Sequence, residues 1–154
     1  MKKALLGALI GLVVIINCAK DIYVPPASPI AGYYKGEYKV VRQTETGTLT
    51  KRVRVYNWKF TDQIYDMDTL TSITGEYICS SYGDYSIESS INFDSTKVEN
   101  ATCNPADVPL GEFAFQRITT TEGKDSLYLL QIVPGDNGWT KEAFLLKLDS
   151  TELK

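Results

Sequence analysis

The chain has 154 residues, of which 44% are hydrophobic, a formal net charge of −3 and no histidine. Without histidine it lacks the commonest general base, proton shuttle and zinc ligand. An acidic balance also argues against nucleic acid as a partner, because phosphate binding needs a basic surface. We therefore expect that the protein is not an enzyme and that it binds no cofactor, no metal ion and no nucleic acid.

The N-terminus, MKKALLGALIGLVVIINCAK, has the layout of a secretory signal. Two lysines precede an apolar run of 13 residues, from 4 to 16. A helix needs about 20 residues to span the bilayer core. The run fits the ~7–15 residues of a signal peptide's apolar segment, so residues 1–17 are predicted to be a signal peptide.

The end of this segment resembles the bacterial lipobox, in which an aliphatic residue and small residues precede a cysteine. Ile15 and Cys18 match, while Asn17 stands where a small residue is usual. The resemblance implies acylation of Cys18 and a lipoprotein of the bacterial cell envelope, facing the periplasm or the surface. Ala19, in place of an aspartate, favours the outer membrane. An ordinary signal peptide and a short uncleaved anchor are the alternatives.

Acylation of Cys18 would leave Cys79 and Cys103 as the remaining cysteines. In an oxidising compartment we expect a disulfide between them. It would close a loop of about 25 residues and stabilise the fold by ~3 kcal/mol. Two separate thiols, one or both buried, are the alternative.

Three of the six prolines lie in AKDIYVPPASPIA, at residues 19–31. Such a segment favours an extended, polyproline-like tether. The predicted organisation is a signal peptide at 1–17, a tether linker at 18–31 and one β-barrel domain at 32–154.

The domain begins with an alternating run, GYYKGEYKVV, which places Tyr34, Tyr38 and Val40 on one face of a strand. In the next run, KRVRVYNWKF, the two valines occupy one parity and the aromatic residues the other. This switch indicates a β-bulge or a strand covered on both faces.

Further short strand-like runs follow, separated by turn residues and by the longer loop NPADVPLG. They are IYDMD, SITGEYICSS, DYSIESSINF, KVENATC, GEFAFQRITT, DSLYLLQIV and WTKEAFLLKLD. The last could also form a helix, but its apolar alternation favours a strand. We expect eight to ten strands in an all-β, single antiparallel meander, which closes most economically as a barrel.

The opening IAGYYKGEY and the meander resemble the lipocalin-like (calycin) superfamily, whose bacterial members are often lipid-anchored in the outer membrane. Gly36, Glu37 and Tyr38 stand where lipocalins have Gly-x-Trp, with tyrosine in place of tryptophan. The resemblance implies a cavity, open at one end, for a small apolar or amphiphilic ligand.

Basic residues are concentrated early in the domain. Residues 32–60 have a charge balance of +5, and residues 61–154 a balance of −10. This excess of basic residues is typical of strand faces that are exposed to solvent. It also suits a basic flank facing anionic headgroups, or a cation beside the cavity that receives a carboxylate or phosphate.

The candidate ligand-binding residues are Tyr38, Arg54, Tyr56, Trp58 and Phe60. In a regular strand, Arg54 and Tyr56 would share a face with Trp58 and Phe60. An arginine and a tyrosine in an aromatic-lined barrel resemble the carboxylate site of fatty-acid-binding proteins, since a guanidinium matches the carboxylate fork. If the two valines of this run point into the barrel instead, Arg54 points into solvent.

The leading functional hypothesis is a lipid-anchored envelope β-barrel that binds a small apolar or amphiphilic ligand in its cavity. The alternative is a structural or protein-interaction lipoprotein, of inhibitor or adhesion type, with a filled barrel. The two hypotheses differ in the interior, because empty space favours a ligand and packed side chains favour a protein partner.

Overall fold

The computed structural model describes residues 28–72, 77–99, 102–135, 138–149 and 151–152. The described residues form a closed antiparallel barrel of eight strands in chain order, which confirms the predicted all-β meander. The strands are β1 Gly32–Thr44, β2 Gly47–Phe60, β3 Ile64–Ser72, β4 Ser81–Ile87, β5 Ile91–Val98, β6 Gly111–Thr119, β7 Asp125–Val133 and β8 Trp139–Lys147. One 3-10 helix, Pro105–Asp107, lies between β5 and β6.

The barrel closes because β1 pairs with both β2 and β8. Tyr38 lies opposite Val53 on one side and opposite Ala143 on the other. Closure removes the unpaired edges that an open sheet would expose. We call the end with the β1–β2 and β7–β8 turns and the 3-10 helix the upper end, and the end where β1 begins the lower end.

A β-bulge on β2 explains the switch of parity seen in the sequence. The pairing of β2 with β3 shifts between Val55 and Asn57, which leaves Tyr56 as an extra residue. The valines before the bulge and the aromatic residues after it therefore both point inward, and Val55 and Trp58 are 2% and 0% exposed. The predicted bulge is confirmed.

The barrel interior is packed with aromatic rings. Trp58 lies between Tyr38 and Phe93, with ring centroids 5.9 and 6.0 Å away. Phe93 in turn contacts Tyr65 at 4.9 Å and Phe113 at 5.2 Å. All five side chains are at most 1% exposed. We call these five residues the aromatic core.

Residues 28–31 close the lower end. Ile30 is fully buried, and its carbonyl accepts a hydrogen bond from the hydroxyl of Tyr34 at 3.0 Å. The Tyr85 hydroxyl donates to Ser28 at 2.8 Å. The last residues of the predicted tether therefore pack against the barrel. Cys18, residues 1–17 and the rest of the tether lie outside the described residues.

The predicted disulfide between Cys79 and Cys103 is confirmed, with the two Cα atoms 6.0 Å apart. Neither cysteine lies in a strand, however. Residues 77–80, part of the predicted strand SITGEYICSS, are irregular because the chain there crosses the upper end from β3 to β4. The C-terminal run WTKEAFLLKLD forms β8, as predicted.

Within the described residues, no helix has the length and apolarity needed to cross a bilayer.

Candidate anion-binding site at the upper mouth

Three cationic side chains point inward at the upper end of the barrel. Lys51 on β2 and Lys141 on β8 both lie directly opposite Val40 of β1, whose side chain is 1% exposed. Directly opposed residues of antiparallel strands share a face, so both lysines face inward. Arg42, two residues after Val40, belongs to the same face. Alternation along three adjacent strands therefore brings the three cations together.

The 3-10 helix supplies the anion that these cations surround. Asp107 is its last residue, and its side chain is 3% exposed. One carboxylate oxygen, Oδ1, lies 2.6 Å from Nη2 of Arg42, and the other, Oδ2, lies 2.9 Å from Nζ of Lys51. We call Arg42, Lys51, Asp107 and Lys141 the mouth cluster.

Lys141 is buried and, among the described residues, forms no ion pair with a carboxylate of its own. Its side chain is 1% exposed, and Nζ donates to the main-chain carbonyl of Val108 at 2.7 Å. Nζ also lies 5.3 Å from the centre of the Trp139 ring. Burial, together with the nearby charge of Arg42, lowers the pKa of Lys141 to about 8, although the charge of Asp107 acts in the opposite direction.

Three hydrogen-bond donors in or beside the mouth cluster lack an acceptor among the described residues. The hydroxyl of Tyr38, Nε of Arg42 and Nε1 of Trp139 are buried with no hydrogen-bond partner in the described part of the chain. The close contact between Arg42 and Asp107 is likewise an ion pair without hydrogen-bond alignment, since neither Nη2 nor Oδ1 is satisfied. The four residues of the mouth cluster comprise three cationic side chains and one carboxylate.

The Tyr38 hydroxyl is within the electrostatic reach of this cluster. Burial raises its pKa well above the usual value, with smaller contributions from Tyr65 and Asp107 that Arg42 opposes. Tyr38 thus stays a neutral donor at physiological pH. An anion at the mouth would meet two kinds of partner, positive charge and unsatisfied donors.

The loop that carries Asp107 is attached to the barrel on both sides. Cys103 bonds it to Cys79, and the carbonyl of Pro109 accepts a hydrogen bond from Thr96 of β5 at 2.6 Å. Between these attachments, Asn104 caps the 3-10 helix through the amide of Ala106. A pocket of about 310 Å³ beside the loop is lined by Lys51, Tyr77, Cys79, Thr102, Cys103, Asn104 and Asp107. Two members of the mouth cluster, Lys51 and Asp107, therefore border a pocket beside this loop.

The structure separates the residues predicted to bind a ligand. Tyr38, Trp58 and Phe60 point inward and are at most 2% exposed. Arg54 and Tyr56 lie on the outer surface, where Tyr56 is 59% exposed, because the bulge places the valines of β2 inward. A ligand inside the barrel would not contact Arg54.

Sequence reasoning missed the mouth cluster, although one signal for it was present. Arg42 continues the inward alternation of Tyr38 and Val40, so its inward position follows from the pattern of β1. Nothing in the local pattern places Asp107, which lies 56 residues from Lys51 along the chain.

Two pockets at the lower end are lined by acidic side chains. A pocket of about 520 Å³ is lined there by three carboxylates, from Asp62, Asp84 and Asp94. A neighbouring pocket of about 400 Å³ adds Glu88 and Glu112. Among the described residues, no group of three or more acidic or cysteine side chains is arranged to hold a metal ion.

Comparisons with protein-family models, with curated proteins and with solved structures found no match. The closed eight-stranded antiparallel barrel is compatible with the lipocalin-like resemblance of the sequence.

Proposed function

We propose that this protein is a cell-envelope binding module that takes a small, anion-bearing ligand at the upper mouth of its barrel. The observation that carries the proposal is a set of buried donors that have no acceptor in the described part of the chain, beside the cations that hold Asp107. Buried donors without acceptors are costly, and an added anion would satisfy them.

The packed interior limits the size and position of the ligand. The aromatic core occupies the barrel below the mouth, with ring centroids about 5–6 Å apart. The anionic group of the ligand therefore lies at the mouth, and any apolar part lies toward the pocket beside the Asp107 loop. This differs from the deep cavity that the lipocalin-like resemblance implies.

The proposed lipid anchor agrees with this arrangement. The described chain enters the barrel at the lower end through Ser28, whereas the mouth cluster lies at the upper end. A protein held to a membrane by Cys18 through residues 19–27 would turn its upper mouth away from the bilayer. Acylation is tested on the full chain produced in a bacterial host. Cys18→Ala should move the protein from the membrane to the soluble fraction and remove the mass of the acyl groups.

Ligand binding is tested with the two tryptophans, which are the only ones in the chain. The indole N–H of Trp139 lies in the mouth and that of Trp58 lies in the aromatic core, so each gives one NMR signal from a known place. Titration of the full chain in detergent with hexanoate, phosphate or sulfate should shift the Trp139 signal and leave the Trp58 signal nearly unchanged.

Arg42→Gln should weaken this binding about tenfold or more, because it removes a charge-assisted partner. Arg54→Gln is the matched control, since it removes the same charge from an outward position of the neighbouring strand. Equal loss in both variants, or no response of Trp139 to any of the three anions, would refute the proposal.

The second candidate, a protein-interaction lipoprotein with a filled barrel, is supported by the outer face of β7 and β8. Phe144 and Ile132 are 45% and 63% exposed there, and Phe144 lies opposite Tyr128. Exposed apolar side chains that cluster on one face are typical of interaction surfaces. This candidate predicts that no small anion shifts either tryptophan signal.

A further inference from the structure

The carboxylate of Asp107 already occupies the place that the proposed ligand would take. Its two oxygens lie 2.6 Å from Arg42 and 2.9 Å from Lys51, and its side chain is almost fully buried. We propose that the ligand is a carboxylate, and that it binds by displacing the side chain of Asp107. This inference rests on the proposed function and names its ligand class and its regulation.

The geometry favours a carboxylate over a tetrahedral anion. The site holds a planar group with two oxygens, one directed to a guanidinium and one to an ammonium. A ligand carboxylate reproduces this pair of contacts without rearrangement of either cation. A phosphate or sulfate would bring further oxygens into the space between the cations and the aromatic core.

Asp107 is positioned for exchange rather than fixed in place. It lies on a three-residue 3-10 helix in a loop, not on a strand. Its contact with Arg42 lacks hydrogen-bond alignment, and the side chains of Arg42 and Lys51 remain 24% and 17% exposed. The pocket beside the loop is lined by Lys51 and Asp107, so a ligand that enters there meets Lys51 on the side on which Asp107 lies.

The exchange needs only a movement of the Asp107 side chain. The loop stays attached through Cys103, through the carbonyl of Val108, which binds Lys141, and through the carbonyl of Pro109. A ligand carboxylate is not constrained by the loop, and it can also accept a hydrogen bond from the unsatisfied hydroxyl of Tyr38. The ligand carboxylate could then form the aligned hydrogen bond to Arg42 that Asp107 lacks.

In this proposal the side chain of Asp107 competes with the ligand from within the protein. The apparent affinity is then the intrinsic affinity multiplied by the fraction of molecules in which Asp107 has left the site. Asp107→Asn removes the competing charge, so hexanoate should bind this variant about 10- to 100-fold tighter than the unaltered chain. Asp107→Glu keeps a carboxylate and should stay within about threefold of the unaltered chain. Asp94→Asn is the charge-matched control at the lower end and should leave the affinity unchanged.

The measurement follows the Trp139 indole signal of the full chain in detergent during titration with hexanoate, and in parallel with phosphate and sulfate. Tighter binding of hexanoate by Asp107→Asn alone supports the inference. If Asp107→Asn binds hexanoate no more tightly than the unaltered chain, while Arg42→Gln still weakens binding, the exchange is overturned but the proposed function stands. Phosphate or sulfate binding as tightly as hexanoate overturns the ligand class. No response in any variant refutes both proposals.

If Asp107→Asn does not fold, the exchange is read in the unaltered chain. Saturating hexanoate should then shift the backbone amide signals of Ala106 and Asp107 together with that of Trp139. A shift of Trp139 with unmoved loop signals overturns the exchange.

Discussion

The ammonium of Lys141 lies 2.7 Å from the main-chain carbonyl of Val108, so a loop carbonyl binds a buried cation that forms no ion pair of its own within the described ranges. The loop that closes the upper end is thereby bonded to the last strand of the barrel. Because Lys141 belongs to the mouth cluster, a change in its protonation should change the free energy of unfolding. This effect is measurable as a function of pH.

Lys141 should make the protein more stable as the pH rises above about 8. Its pKa falls from 10.5 in the unfolded chain to about 8 in the folded one, because burial disfavours the charged form. Between these values the unfolded chain binds more protons, so the free energy of unfolding increases with pH. The increase should reach ~2 kcal/mol between pH 8 and about pH 9.5. Urea unfolding at several pH values measures it.

The buried tyrosines should end this rise in the free energy of unfolding at high pH. Burial raises the pKa of Tyr34 to about 12 and raises that of Tyr65 above 10.0. Unfolding would let them ionise near pH 10, so stability should fall above about that pH. Lys141→Met should abolish the rise above pH 8 and keep the fall. A rise of the same size in Lys141→Met would contradict the assignment.

Tyr38→Phe should stabilise the protein while it weakens anion binding. The hydroxyl of Tyr38 is buried without a partner, and its removal relieves an unsatisfied polar group worth ~1 kcal/mol. Tyr65→Phe is the matched comparison, because the Tyr65 hydroxyl donates to Thr96 at 2.7 Å and its loss should lower stability by ~1 kcal/mol. Equal losses of stability in the two variants, measured by urea unfolding, would show that the Tyr38 hydroxyl is satisfied.

Gly36→Ala should destabilise the barrel by ~3 kcal/mol or more. A Cβ at Gly36 would collide with the main-chain oxygen of Phe144 on β8, so the close approach of β1 to β8 requires glycine. Gly47→Ala measures a different cost, because no atom lies within 4 Å of the added Cβ but φ there is +132°, where any residue other than glycine is strained. A loss below about 1 kcal/mol in Gly36→Ala, measured by urea unfolding, would exclude the collision.

The disulfide should stabilise the fold by ~3 kcal/mol. It joins residues that are 24 apart and holds one end of the Asp107 loop. The double variant Cys79→Ala, Cys103→Ala should lower the free energy of unfolding by that amount, and the reduced unaltered chain should show the same loss. A change below about 1 kcal/mol would show that the loop is held mainly by the hydrogen bond between Thr96 and Pro109.

The sequence alone determined the architecture and much of the core. Alternating apolar residues such as Tyr38 and Val40 predict strands, and short connections between them predict a meander, because side-chain direction along a strand has a period of two. The switch of parity around Tyr56 indicated a bulge or a strand covered on both faces, and the pairing of Cys79 with Cys103 followed from counting cysteines. These properties are local in the chain or follow from composition.

Only the tertiary structure decided the candidate site. The direction of the bulge determined that Arg54 faces solvent, since a shift of one residue exchanges the two faces of a strand. Closure of β1 against β8 brought Lys141 beside Arg42, and the loop after β5 placed Asp107 between Arg42 and Lys51. Such contacts depend on pairing register and loop path across distant parts of the chain, and no local pattern of residues encodes them.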